Sequence, residues 1–302
     1  TILDGFESFI YEYERDGEGY ILRVGHSNRR SISMIYAEVD WLNYLASGGA
    51  HVAGAIHSNV GNLVEAIDDG YGEQFLATAF RKAPGSHLGH EKWTPEFLQH
   101  YGSVLGKIHH LSKTYTPSQP DWQRPHWADQ MDTEFEQWLN SADSQIIAKV
   151  EPVIERLKLL PKDATYHMIH QDAHGGNFYV DDGQITLFDF DDCIYGHEIY
   201  DIAMCIFYGP TLQNPQLAET FTTHFLKGYA HENHLDPKWL SHISDFMKLR
   251  EIDLYIMIER DIDWRNGEDW WAERFMQGRQ ERILADTPIV EFDFESLASI
   301  WR

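Results

Sequence analysis

Between His170 and Phe178 the chain reads HQDAHGGNF: two imidazoles, a carboxylate, two glycines and an amide in nine residues. Apolar residues flank the stretch, Met168-Ile169 before it and Phe178-Tyr179-Val180 after it. Polar groups gathered in this way could do two kinds of chemistry. His170, Asp172 and His174 alternate, so on a strand they would share one face and could ligate a metal, with Asp189, Asp191 and Asp192 nearby. That would make a metal-dependent hydrolase. Alternatively the stretch is a loop that presents a base and a metal ligand for phosphoryl transfer.

The residues that follow bear on the choice. Phe178-Tyr179-Val180 and Ile185-Thr186-Leu187-Phe188 are β-prone runs around Asp181-Asp182-Gly183, a strong turn signal. Asn177 lies six residues before Gly183 and Asp189 six after it, so a hairpin brings both to its open end. An amide oxygen and a carboxylate converging there are hard-oxygen ligands suited to Mg²⁺. Asp172 sits in the loop just before and can share the site. Phosphoryl transfer asks for this set: cations to neutralise phosphate charge, and a carboxylate to orient the acceptor hydroxyl and take its proton. Asp172 and Asn177 keep the Asp-x-x-x-x-Asn spacing of a kinase catalytic loop, with His170 in the leading histidine place, and Asp189 opens an Asp-Phe-Asp triplet where kinases carry Asp-Phe-Gly. A lone His-x-Asp reads as a satisfied turn histidine and a lone Asp-Phe-Asp as solvated loop charge. Their joint spacing about one turn carries the weight, and Gly175-Gly176 argues against the hydrolase.

Such a site needs elements to hold it. The chain has 302 residues, 43% of them hydrophobic, enough for a large core. Its front reads as strands with one helix. Phe9 to Val24 alternates around Asp16-Gly17-Glu18-Gly19 as a hairpin, and Ile35, Val39, Leu42 and Leu45 repeat at helical spacing up to Gly48-Gly49. NLVEAI and EQFLATAF read as further strands. After RKAPGSHL, Thr94-Pro95 starts a helix whose apolar stripe is Phe97, Tyr101, Val104, Leu105 and Ile108. Most of the remainder reads helical. The expectation is an α+β chain of two lobes, residues 1–83 and 84–302, joined near Arg81 to Gly85.

Composition excludes several partners. The net charge of −24 opposes nucleic acid and anionic membranes. No run approaches the roughly 20 apolar residues of a membrane span, and Thr1 to Ile10 lacks the features of a signal peptide. Two cysteines, Cys193 and Cys205, point to a reducing cytoplasm.

HQDAHGGNF, LFDFDD and YDIA together resemble the aminoglycoside phosphotransferase-like superfamily of protein-kinase-like enzymes, which includes antibiotic phosphotransferases, choline kinases, type II homoserine kinases and stress-response Ser/Thr kinases. The likeness spans nearly the whole chain and is specific between His167 and Ala203. It implies a two-lobed kinase-like fold, ATP and Mg²⁺. Carried over by position, Asp172 would be the catalytic base, Asn177 and Asp189 would hold the metal, and Asp191 would add a second carboxylate. Asp201 would brace the catalytic loop through backbone N–H groups. His170 would pack and hydrogen-bond within the loop, and His174 would face solvent. Gly5 and Ser8, in DGFESF, would belong to the phosphate-covering loop, after a strand that is short or missing. Arg23 stands where kinases carry the phosphate-binding lysine, with Glu38 as its ion-pair partner; the arginine keeps the charge and adds a fork. At the hinge the Arg81 carbonyl and Ala83 N–H would meet adenine, with Phe80 lining the back of the pocket.

The acceptor is less defined. Asp121 to Trp138 and Ile258 to Phe275 are rich in tryptophan and acids, a pairing that can recognise an amine, although helix packing with solvated charge explains them somewhat better. They favour a small polar acceptor, in its sharper form a cationic one. A protein Ser/Thr kinase is the alternative on the same fold. Only residues 190–200 separate Asp189 from Asp201, too few for a long regulated activation loop, which favours a small molecule.

Overall fold

β-Prone Phe9–Arg15 (β2) and Glu18–His26 (β3) pair antiparallel about a turn in which Asp16 and Gly17 both take positive φ. In the computed structural model, which describes residues 1–3, 8–139, 143–209, 217–267 and 269–301, this hairpin anchors the front of the chain. The short strand Ile2–Leu3 (β1) adds to its edge. The helix Ile32–Ser47 (α1) starts at Ser31, whose hydroxyl accepts the Met34 N–H, and its Ile35, Val39, Leu42 and Leu45 are buried as their spacing requires. Ala55–Ile56 (β4), Val64–Asp68 (β5) and Gln74–Arg81 (β6) complete an antiparallel sheet in which β6 lies beside β3.

Beyond Arg81 the chain is mainly helical. Pro95–Ser112 (α2) is capped by the Thr94 hydroxyl with Pro95 in its first turn. It packs along Ala218–Glu232 (α6) at a distance only glycine allows: a Cβ at Gly228 would overlap the Gln99 carbonyl. Trp127–Leu139 (α3), Ser144–Lys158 (α4) and Ile243–Asp261 (α7) form a further layer. Trp270–Met276 (α8) and Arg279–Leu284 (α9) follow. Two small antiparallel ribbons carry the polar motifs: Tyr166–Ile169 (β7) with Ile194–His197 (β10), and Phe178–Asp181 (β8) with Gln184–Leu187 (β9). The β10 strand carries little sequence signal, because its Gly196 and His197 are poor strand formers.

Glu198–Tyr208 (α5) runs through the core with every residue but Tyr208 buried. Asp201 lies on it, inaccessible to solvent. Among the described residues no helix is long and apolar enough to cross a membrane.

Candidate active site

The hairpin β8–β9 closes through Asp182 and Gly183, both at positive φ, the conformation of a type I′ turn. Its register pairs Phe178 with Leu187, and the Phe188 N–H donates to the Asn177 carbonyl at 2.9 Å. Asn177 and Asp189 therefore meet at the open end. The hairpin is tied to both parts of the chain. Leu187 N–H donates to the His51 carbonyl, and Val180 N–H donates to the Ser86 carbonyl, 3.0 and 2.9 Å.

Asp172 is set by the loop before the hairpin. Both its oxygens are engaged: Oδ1 accepts from Arg250 at 2.9 Å, and Oδ2 accepts from the Asn177 amide at 2.9 Å and faces His174 Nε2 at 3.3 Å. Burial alone would raise the Asp172 pKa. The charges of His174 and Arg250 outweigh it and hold the acid well below the usual carboxylate range. Asn177 Nδ2 also donates to the Asp172 carbonyl, which turns its Oδ1 outward. Asp189, at φ 61, projects into the space between the lobes. There the surrounding protein displaces water and pushes its pKa up to about 7, with Asp191, Asp192 and Asp172 adding repulsion against the pull of Arg23. Asp189 is itself exposed to the cleft, so water screens part of that rise. Among the described residues neither Asn177 Oδ1 nor the Asp189 carboxylate accepts a hydrogen bond. An amide oxygen and a crowded, unsatisfied carboxylate side by side are a donor set that fits a divalent cation.

The loop hangs on Asp201. Its Oδ2 accepts the His170 N–H at 2.8 Å and its Oδ1 the Gln171 N–H at 2.6 Å, while His109 Nε2 lies 3.0 Å from Oδ2. The His170 ring packs 4.3 Å from Phe190, takes the Asp172 N–H on Nδ1 and donates from Nε2 to the Phe188 carbonyl. Both nitrogens are thus spent on backbone.

Three expectations change. His170, Asp172 and His174 do not share a face, because the segment is a loop with Gln171 at φ 68, and among the described residues no group of three or more His, Cys, Asp or Glu side chains is arranged to hold a metal. The metal-dependent hydrolase loses its ligand set. His174 is only half-exposed: it lies 4.5 Å from Tyr208 in a tilted ring contact and turns Nε2 to Asp172. Asp191 stands among guanidinium groups, paired with Arg29 and lying 3.4 Å from Arg23 and 3.9 Å from Arg30. Those cations compete with a metal for its oxygens.

A cavity of about 420 Å³ opens between the sheet and the hairpin. Arg23, Glu38, Phe80, Arg81, Ala83, Asn177 and Asp189 all line it. Arg23 and Glu38 form a buried bidentate pair, 2.9 and 2.6 Å, and the guanidinium sits 5.0 Å over the Phe80 ring. Arg81 N–H is spent on the Gly54 carbonyl and Lys82 N–H on the Gly19 carbonyl. Among the described residues the Ala83 N–H has no such partner. Ser8 rests against Gly25 and is not part of the lining, and Gly5 lies outside the described residues. A second cavity of about 410 Å³ is lined by Asp172, His174, Tyr208, Arg250, Asp269 and Trp271, among others. Gly176 lines both cavities.

Sequence reasoning missed Arg250, Arg29, Arg30 and Arg124, which donates to the Cys193 carbonyl and to that of Asp191. A signal for Arg250 was present: it and Asp253 interrupt the buried run of Leu249, Ile252 and Leu254 on α7, and such an interruption in a core helix marks an ion pair.

Residues 1–236 match the family of phosphotransferase enzymes. The amicoumacin kinase of Bacillus subtilis (strain 168) is 34% identical over 299 residues, covering 96% of this chain and 88% of that protein. A solved amicoumacin kinase in complex with AMP-PNP, Ca²⁺ and Ami superposes with a TM-score of 0.91 at 33% identity, over 98% of this chain and 91% of the other. Spectinomycin phosphotransferase, solved with ADP and its antibiotic, shares the fold at a TM-score of 0.62 and 16% identity, over 100% and 91% of the two chains. The chain belongs to the phosphotransferase enzyme family and is an ATP-dependent kinase of small molecules on a two-lobed protein-kinase-like fold.

Proposed function

We propose that the chain transfers the γ-phosphoryl group of ATP to a hydroxyl of an amicoumacin-like antibiotic, with Asp172 facing the acceptor and Asn177 and Asp189 facing the metal. The observation that carries this reading is the junction of the two cavities at Gly176, with Asn177 and Asp189 on one side and Asp172 on the other. Residues 1–83 serve as the nucleotide lobe and 84–302 as the acceptor lobe. Its relatives' names supply the acceptor.

The roles follow from contacts. The paired Arg23 presents fixed positive charge to the phosphates, and the Ala83 N–H offers a donor to adenine. Bound Mg²⁺ would supply charge neutralisation at the phosphates, held by Asn177 Oδ1 and Asp189. Asp172, fixed at both oxygens, aligns the acceptor hydroxyl and receives its proton as the bond to phosphorus forms. Its low pKa makes it a weak base that acts late, so alignment is its main contribution. Asp191 acts as counter-ion to the arginines.

Free, buried Cys193 and Cys205 suit a reducing cytoplasm, and the net charge of −24 speaks against nucleic acid as a partner. The test is ATP turnover with Mg²⁺ and a panel of acceptors: amicoumacin, aminoglycosides and simple amino alcohols. Saturable turnover with amicoumacin is expected. Binding of Mg-ATP with no turnover on amicoumacin would remove the acceptor assignment.

A further inference from the structure

The chain between α2 and α3, residues 113–126, has little regular structure, yet it grips α1. The Ser33 hydroxyl donates to the Asp121 carbonyl, and the Tyr36 ring stacks 4.8 Å from Trp122. Asp40 accepts from the Tyr115 hydroxyl at 2.7 Å and from the Ser118 N–H at 3.0 Å. The helix held in this way carries Glu38, the partner of Arg23. Arg124, from the same segment, reaches beyond α1. It is 3% exposed, and among the described residues its hydrogen bonds all go to carbonyl oxygens. Nε donates to Cys193 at 2.7 Å, Nη2 donates to Asp191, and Nη1 donates to Met34 at 3.4 Å.

Burying a guanidinium without a hydrogen-bonded carboxylate is costly, and an uncharged donor would satisfy one carbonyl without that cost. Three carbonyls from two separate elements need a planar group with donors on three nitrogens, which only arginine supplies. The Met34 carbonyl is the one that an α-helix pairs with the N–H of residue 38, so Arg124 holds the turn that carries Glu38. Asp191 and Cys193 lie in the turn that the Cys193 N–H closes on the Phe190 carbonyl, directly after Asp189. Asp189 has φ 61, a conformation that a non-glycine backbone disfavours, so its surroundings must hold it. Two further contacts join the same parts. The Pro125 carbonyl takes the Tyr195 N–H at 2.9 Å, and Trp41 of α1 meets Phe190 edge-to-face, ring centres 5.3 Å apart. Arg124 itself lines neither the nucleotide nor the acceptor cavity.

We propose that Arg124 is a positioning residue for phosphoryl transfer: its guanidinium locks the Glu38 turn of α1 to the turn after Asp189, so that Arg23 and Asp189 face one Mg-ATP. The nucleotide half of this statement rests on the phosphotransferase reading; the bridge between the two turns does not.

Hydrogen exchange and nucleotide binding test it on the full chain. Arg124→Met keeps the length of the side chain and removes its donors. Arg124→Lys keeps the charge but offers one ammonium to three carbonyls. In unliganded Arg124→Met, amides of residues 34–42 and 189–193 should exchange at least about tenfold faster, with those of α6 within about twofold of wild type. By calorimetry the Kd for Mg-ATP should rise at least about tenfold; in turnover the KM for ATP should rise with it while the acceptor KM stays within about twofold. Arg124→Lys should show the same pattern at about threefold or more. Uniformly faster exchange over the whole chain, a joint rise of both KM values, or an unchanged Mg-ATP affinity overturns the proposal. If Arg124→Met does not fold, Arg124→Lys decides by the same criteria. A wild-type chain that binds no Mg-ATP would remove the phosphotransferase reading, and exchange at the two turns would still decide the bridge.

Discussion

Asp172 and Asp189 are two carboxylates at one junction with opposite environments. His174, Arg250 and Asn177 surround Asp172 with donors, which keeps it ionised and aimed. Asp189 is partly desolvated and has acidic neighbours, which push it up to about 7, a rise that water in the open cleft screens. A metal binds only the ionised form, so protons compete with it. Mg²⁺ affinity is therefore expected to fall as pH drops below about 7, by up to about tenfold per unit while Asp189 is protonated. Near pH 6.5, Mg²⁺ binding should release protons, measurable by calorimetry in buffers of different ionisation enthalpy. The Asp189→Asn variant should lose that release. A release identical in the variant would place the titration elsewhere. Both carboxylates were legible in sequence from type and spacing. Arg250 was not tied to Asp172, because the two lie 78 residues apart and nothing local to either announces the other.

At the level of elements, the hairpin β8–β9 was legible because its turn is locally encoded: Asp-Asp-Gly supplies two residues that tolerate positive φ, and flanking β-branched and aromatic residues set the register. The loop before it depends on α5 for its shape. Asp201 takes two buried backbone N–H groups and His109 at once. Asp201→Ala leaves those donors unsatisfied, at a cost of about 1–3 kcal/mol for each. Chemical denaturation should show the loss, and turnover should fall steeply although Asp201 lines neither the nucleotide nor the acceptor cavity. Asp201→Asn, which keeps one oxygen as acceptor, should lose less of both. Equal stability of Asp201→Ala and wild type would contradict the anchor.

Across the whole molecule, the change from strands to helices near Arg81 was readable from periodicity, since the hydrophobic repeat passes from two to about 3.6. The tie between the two parts was not. Arg29 and Arg30 reach Asp191 and Asp192 over 162 and 163 residues, a pairing that exists only once the fold brings β3 and the hairpin together. Because these arginines take the Asp191 carboxylate, Asp191→Asn is expected to raise the KM for ATP through a loosened nucleotide lobe, with the Mg²⁺ dependence at saturating ATP as in wild type. A weakened Mg²⁺ dependence would return Asp191 to the metal site. The central claim is the division of labour at the cavity junction, and its most direct measurement is Mg-ATP binding by calorimetry in two variants, read beside turnover. Asp172→Asn should bind Mg-ATP within about threefold of wild type while turnover falls by about 10²–10⁴; Asp189→Asn should lose at least tenfold in Mg-dependent ATP affinity. Full turnover in the first variant, or undiminished Mg-ATP affinity in the second, would contradict the account.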